Sequence, residues 1–182
     1  NIMLMLAYDG TAYRGWQVQP GGITVQECVE SALERLTGIR RRILCAGRTD
    51  AGVHAMAQVA HVELPDRLSP IELCKALNGN LKKDVRIDSV AKIGHDFHAR
   101  FSATSREYEY CLVKDYSPLT RKYAAELKWD RLPSPVLLTY VPLCSFIRGL
   151  RIDSFLFRRL IAIDSSLDIC WVYPAISVNI IA

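Results

Sequence analysis

The chain opens on an uninterrupted apolar run, IMLMLAY, that gives way to YDGTAYRGW, where Asp9-Gly10 and Gly15 mark turns. A run this short suits a buried strand over residues 2–8 followed by a loop. The period then changes. Val25, Cys28, Val29, Ala32, Leu33 and Leu36 recur at helical spacing until Gly38, and Thr24 with Glu27 forms a capping-box signature, so the pattern predicts a helix. Residues 41–46 read as a strand and lead into a glycine-bearing turn. In AMAQVAHVEL, Met56, Gln58, Ala60 and Val62 alternate with Ala57, Val59, His61 and Glu63, the period of a second strand. Ser69, Pro70 and Glu72 supply a cap, an N1 proline and a first-turn acid. The helix they start has apolar positions at Ile71, Leu73, Cys74, Ala76 and Leu77 and closes at Asn78-Gly79. Further strands are predicted near 85–93 and 105–114. The order β-α-β-β-α-β-β predicts an α+β fold with helices packed on one face of a mostly antiparallel sheet.

Composition changes this picture from Leu132 onward. Residues 132–182 contain no Lys, Glu, Gln, His or Met, all of which the first 131 residues use, and Pro133, Pro135 and Pro142 crowd the start of the segment. The one further element suggested there is a helix or strand around SFLFRRLIAI. Two domains are expected, an N-terminal α+β domain over 1–104 and the start of a second over 105–182. The second is expected to be degenerate, truncated or frame-shifted from about 132. No internal repeat or low-complexity tract is present.

With 182 residues, half of them hydrophobic, the chain can bury a sizeable core without staples. The net charge of +4 and a pI near 8.8 permit a polyanionic partner without demanding one. Cys28, Cys45, Cys74, Cys111, Cys144 and Cys170 include no C-x-x-C pair, which suggests neither a zinc site nor a disulfide framework and points to a reducing, cytoplasmic home. The apolar opening carries no basic region or cleavage signal, and no apolar run is long enough to span a bilayer. A soluble, untargeted chain lacking its first residue or two is expected.

The chemistry concentrates in GRTDAGVHA, residues 47–55. Asp50, at a strand end among small residues, suits a nucleophile, a general base, a metal ligand or a plain turn-maker. Arg48 shifts the balance. With Thr49 between them, Arg48 and Asp50 can emerge on one side of an extended segment, where an arginine keeps a partly buried carboxylate ionised. Ala51 and Gly52 leave room for a planar group to approach. A second constellation, GHDFHARFSATSREYEY, mixes rings and cations at Phe97, His98, Arg100 and Phe101, as nucleic-acid surfaces do. Arg106, Tyr108 and Tyr110 would share one strand face, and the plain alternative is a half-buried strand with wet hydroxyls. His95, Asp96 and His98 allow a metal-dependent reading, weakened by the lack of another ligand nearby. Arg40, Arg41, Arg42, Lys82 and Lys83 read as solvated faces or, with Arg100 and Arg106, as a stripe along a phosphate backbone.

YDGTAYRGWQ, TVQECVESAL, CAGRTDAGVHAMAQVAH, ALNGNL and DFHARFSATSREYEY, in this order and spacing, resemble the tRNA pseudouridine synthase A family over roughly residues 2–131. The resemblance implies a pseudouridine synthase fold of two ferredoxin-like or RRM-like halves. It also implies isomerisation of uridine to pseudouridine on the 3′ side of the tRNA anticodon stem-loop, by a homodimer, with no cofactor and no metal. Asp50 falls on the family's catalytic aspartate, Arg48 on its base-flipping, RNA-contacting arginine and Tyr108 on the tyrosine packed against uracil. Phe97, His98, Ala99, Arg100 and Phe101 fall on a tRNA-contacting segment. SFLFRRLIAI bears a faint likeness to the segment holding the aspartate's basic partner, making Arg158 or Arg159 conceivable; its spacing from Tyr108 is short, and the role is not carried over. A rival from another class is a non-catalytic RNA-binding module; a third is a metal-dependent hydrolase.

Overall fold

The computed structural model describes the backbone of residues 1–113 and of 118–119, 123, 125–126, 147–152, 158–163 and 176–181, with side chains described through Thr104 and at Pro118, Leu119 and Tyr123. Its elements are β1 (Ile2–Tyr8), a 3-10 turn (Gly10–Ala12), α1 (Val25–Thr37), β2 (Leu44–Cys45), β3 (His54–Val62), α2 (Pro70–Asn80), β4 (Val85–Lys92) and β5 (Ser105–Val113). Beyond them lie the backbone strands β6 (Ala125–Glu126), β7 (Ile147–Ile152), β8 (Arg158–Ile163) and β9 (Ile176–Ile181). The order expected from the sequence is the order found, and the fold is α+β.

The first strand is the centre of the first half. β1 pairs antiparallel with β3 on one side and β4 on the other, so that Leu4 stands opposite Ala60 and Val90, and Leu6 opposite Gln58 and Ile87. The whole sheet runs β4-β1-β3-β9-β5-β8-β7, with β2 on β3 and β6 on β5. Leu4 and Leu6 are fully buried and share one core with Val29 and Leu33 of α1 and Leu73 and Leu77 of α2. Burial of each such side chain contributes about 1.5–3 kcal/mol.

Both helices are capped where the sequence places the caps. Thr24 Oγ1 accepts the Glu27 amide at 3.4 Å, and Gly38 ends α1 in the left-handed region at φ 71°. Ser69 and Glu72 complete a reciprocal capping box at the start of α2. α2 does not close at Asn78-Gly79 but continues to Asn80. The Asn78 side chain is spent instead on β4, accepting the Ile87 amide and donating to the Ile87 carbonyl, each at 2.8 Å. Ile71, read as an inward position, is 69% exposed on the outside of α2.

Two strands differ from their patterns for physical reasons. The strand expected over 41–46 is reduced to Leu44–Cys45, because the buried Glu30 carboxylate takes the Ile43 amide at 3.0 Å and residues 40–42 stay exposed. In β3 the apolar and polar alternation does not become an inside and an outside. Gln58 to Val62 are all buried, since the helices cover one face and His61, on the other, packs under residues 97–99. SFLFRRLIAI contributes a strand, β8, at Arg158–Ile163.

Candidate active site

The turn that carries Asp50 is held from beneath by the loop after β1. The Thr49 carbonyl accepts the Trp16 amide at 2.9 Å, the Tyr13 carbonyl accepts the Gly52 amide at 3.2 Å, and the Val53 amide closes the turn onto the Asp50 carbonyl at 3.1 Å. Gly52 adopts φ 81°, a left-handed conformation that glycine reaches without strain. Two glycines of the opposing loop make the approach possible. A Cβ at Gly15 would overlap the Thr49 carbonyl oxygen, and one at Gly10 would overlap the Val53 carbonyl oxygen. The Gln58 amide donates to the Gly47 carbonyl at 2.6 Å, anchoring the front of the turn to β3.

This scaffold sets the direction of three consecutive side chains. Thr49 turns inward, 7% exposed, and its hydroxyl meets the buried Tyr8 hydroxyl at 2.7 Å. Arg48 and Asp50 therefore turn outward, as their spacing predicts, and both are exposed. The expectation of a partly buried Asp50 held by Arg48 is not met: among the described residues no ion pair joins the two. With water around both groups, a surface pairing would have contributed little.

Beside Arg48 opens a cleft of about 190 Å³ walled by Trp16, Arg42, Arg48, His98, Arg100 and Phe101. Asp50 is not in its wall; it stands two residues beyond Arg48. Three guanidinium groups and three rings around one concavity form a surface on which a base can stack and a phosphate can be neutralised. Its floor is fixed by a buried polar chain: the Glu30 carboxylate accepts from Gln26 at 2.7 Å and from the Ile43 amide, while the Gln26 carbonyl oxygen accepts the Val18 amide at 3.1 Å. Cys45, also in the wall, is no nucleophile at neutral pH. Burial pushes its thiol up to about 12 against the opposing pull of Arg48.

Residues 97–101 divide by direction. Ala99 is fully buried, Phe97 and His98 are half-buried, and Arg100 and Phe101 are exposed, Phe101 by 79%. The His98 ring lies 4.4 Å from that of Phe101, and the Arg100 guanidinium carbon lies 6.0 Å from the Phe101 centroid. His98 Nδ1 accepts the Arg100 amide at 3.2 Å and is thereby engaged within its own loop. Among the described residues no group of three or more His, Cys, Asp or Glu side chains is placed to hold a metal ion. Arg42 reaches the cleft, whereas Lys82 and Lys83 are exposed elsewhere.

Tyr108 lies on β5, and its side chain is outside the described residues, as are those of Arg106, Tyr110, Arg158 and Arg159. Its backbone row is informative: Tyr108 pairs with Val178 of β9, and Val178 with Ala55 of β3, next to the Asp50 turn.

Sequence reasoning passed over two groups. His61 appears in the sequence only as a polar member of an alternating strand, yet it is buried and accepts the Ala99 amide. Asp9, read only as a turn residue, meets His54 Nδ1 at 3.1 Å and accepts from the Tyr123 hydroxyl at 3.2 Å. Burial raises the Asp9 carboxyl, but hydrogen bonds from the Thr11 hydroxyl and amide, with the neighbouring His54 imidazole, outweigh it and hold the group below the ordinary carboxylate value. No local pattern announces either contact, since the partners lie 38 and 45 residues away.

Among the described residues no helix is long and apolar enough to cross a membrane. A family model described as tRNA pseudouridine synthase matches residues 4–102. A tRNA pseudouridine synthase A of Solidesulfovibrio magneticus is 50% identical over 114 residues, covering 62% of this chain and 42% of the relative. Those of Chlamydia felis and Akkermansia muciniphila are 47% and 45% identical over 122 and 133 residues, covering 65% and 72% of this chain and 46% and 49% of theirs. The chain thus spans less than half the length of these relatives. The matched segment contains the Asp50 turn, the loop that supports it and the cleft beside it, and on that ground the chain belongs to the tRNA pseudouridine synthase family.

Proposed function

We propose that this chain isomerises uridine to pseudouridine in the anticodon stem-loop of tRNA, working in the cytoplasm as a homodimer, with Asp50 as the catalytic residue. The reaction breaks the N1–C1′ bond, turns the uracil and joins C5 to C1′; the C5 proton leaves to solvent and N1 gains one, so atoms balance without an oxidant or cofactor. It needs one carboxylate at the sugar and a site that retains a detached base. The observation that carries the reading is the outward-facing Asp50 on a turn locked by Trp16, Tyr13 and Tyr8, beside a cleft lined by arginines and rings.

A stacked base is out of reach of such a carboxylate and has to be extruded, at a cost of a few kcal/mol. Arg48, exposed between Asp50 and the cleft, is suited to fill the vacated stack. Arg100 and Phe101 offer a cation and a ring to the flanking backbone and base, with Phe97, His98 and Ala99 as the rest of the contact segment. Tyr108 supplies the stacking floor under the uracil, from a second half that begins near Ser105 and departs from the family's pattern after residue 131.

Single-turnover release of tritium from C5-labelled uridine in an anticodon stem-loop tRNA, compared with Asp50→Asn, tests the proposal. Release by the unaltered chain alone supports it. Binding without release would favour a non-catalytic RNA-binding module. Release abolished by a chelator would favour the metal-dependent reading.

A further inference from the structure

His61 is the one histidine among the described residues that is buried, 7% exposed. It sits on β3 opposite Leu44 of β2 and Met3 of β1. Its Nδ1 accepts the amide of Ala99, itself fully buried, at 3.1 Å. Phe97 meets the ring edge-on at 6.0 Å and His98 at 4.8 Å. The rest of the loop builds outward from this point. The His98 amide donates to Ser102 Oγ at 3.1 Å, the Ser102 amide to the His98 carbonyl at 2.8 Å, and the Arg100 amide to His98 Nδ1. A ring nitrogen can accept an amide only when it bears no proton.

We infer that His61 is a positioning residue whose proton-free Nδ1 docks residues 97–101 onto the sheet, and so holds Arg100 and Phe101 at the wall of the cleft beside Arg48. This rests on the reading that these residues contact RNA. Protonation at Nδ1 would set one N–H against another and leave a buried amide without a partner, which releases the loop. The groups around the ring favour the neutral form on balance. Burial and the neighbouring His98 lower its proton affinity, against the weaker opposing effects of the Leu44 backbone and Glu63. RNA binding should therefore weaken on mild acidification, opposite to the ordinary strengthening of a basic surface towards a polyanion as pH falls.

Two variants separate docking from bulk. His61→Asn keeps an acceptor near the Nδ1 position and cannot titrate; His61→Phe keeps a ring and removes the acceptor. Both are first checked for a cooperative melt. The expected result is about a tenfold loss of stem-loop affinity in His61→Phe with the single-turnover rate at saturating RNA unchanged, and near-native affinity without the acid-side fall in His61→Asn. Hydrogen exchange at the Ala99 amide, compared between variants at equal pH, reads docking without RNA. Protection should be lost in His61→Phe and kept in His61→Asn, and in the unaltered chain it should fall on acidification. Equal Ala99 protection in the unaltered chain and His61→Phe, or equal loss in both variants, overturns the inference. If the unaltered chain binds no stem-loop, the proposed function fails, and Ala99 exchange still decides whether His61 docks the loop.

Discussion

Tyr8 and Thr49 meet hydroxyl to hydroxyl at 2.7 Å, both buried, directly under the turn from which Asp50 points outward. The contact joins the end of the first strand to the residue between Arg48 and Asp50. Burial raises the Tyr8 hydroxyl well above its ordinary value, so it keeps its proton at any physiological pH. Thr49→Val, which keeps the shape and removes one partner, should cost about 0.5–1.5 kcal/mol in urea unfolding, because the buried Tyr8 hydroxyl is left with Gln58 alone. The Tyr8→Phe, Thr49→Val double variant should be milder than the sum of the singles. Additive losses would mean that the two hydroxyls do not act on each other.

Gly15 is predicted to be intolerant of the smallest substitution. Its φ of 79° already disfavours a side chain, and a Cβ would overlap the Thr49 carbonyl. Gly15→Ala should destabilise by more than about 1 kcal/mol and lower turnover and tRNA affinity together, since it displaces the Asp50 turn along with Trp16 and Arg48 of the cleft wall. Gly79→Ala, at a helical position with open space around the new methyl group, is the matched control and should be neutral or mildly stabilising.

Stability should decline in two stages on acidification. His61 and Asp9 both bind protons less readily in the folded chain than in the unfolded one. Their contributions are thus complete above the ordinary values, 6.5 for the imidazole and 3.8 for the carboxyl, and drain away as pH falls below each. His61→Asn should flatten the first decline and Asp9→Asn the second, in denaturant midpoints followed from neutral to acidic pH. A midpoint constant from pH 7.5 to 5.5 in the unaltered chain would count against the His61 assignment.

The cleft arginines should carry salt dependence. Arg42 lines the cleft with Arg48 and Arg100 but supports no part of the Asp50 turn. Arg42→Ala should lower the slope of log affinity against log salt by about 1 and leave the rate at saturating tRNA unchanged. An unchanged slope would place the phosphate backbone elsewhere.

Much of the fold is legible in the sequence because its signals are local. The Thr24 and Ser69 caps, Gly38, the period of α1 and the apolar β1 each act over a few residues, and each appears where expected. What escaped depends on partners far away. The Arg41 to Ala46 strand loses most of its length to a carboxylate on α1, and residues 58–62 of β3 are buried on both faces because a loop near residue 98 folds over them. At the site, spacing alone placed Arg48 and Asp50 on one side, while the Thr49 contact that enforces this comes from 41 residues earlier. A cleft distinct from Asp50 could not be foreseen, since its wall is assembled from four separate stretches of chain.

The central place of β1 has a consequence for how the protein is made. IMLMLAY is synthesised ahead of both its partners, since its hydrogen-bonding edges are filled only by β3 and by β4, which ends at Lys92. At about 5–20 residues per second, the wait is roughly 4 to 17 seconds. Through that interval an uncharged strand keeps an open edge, and both edges until β3 is made, while α1, its first cover, can shield only one face. An apolar strand made well before its second partner is prone to pair with the wrong neighbour, and slow translation between β1 and β4 lengthens its exposure to aggregation.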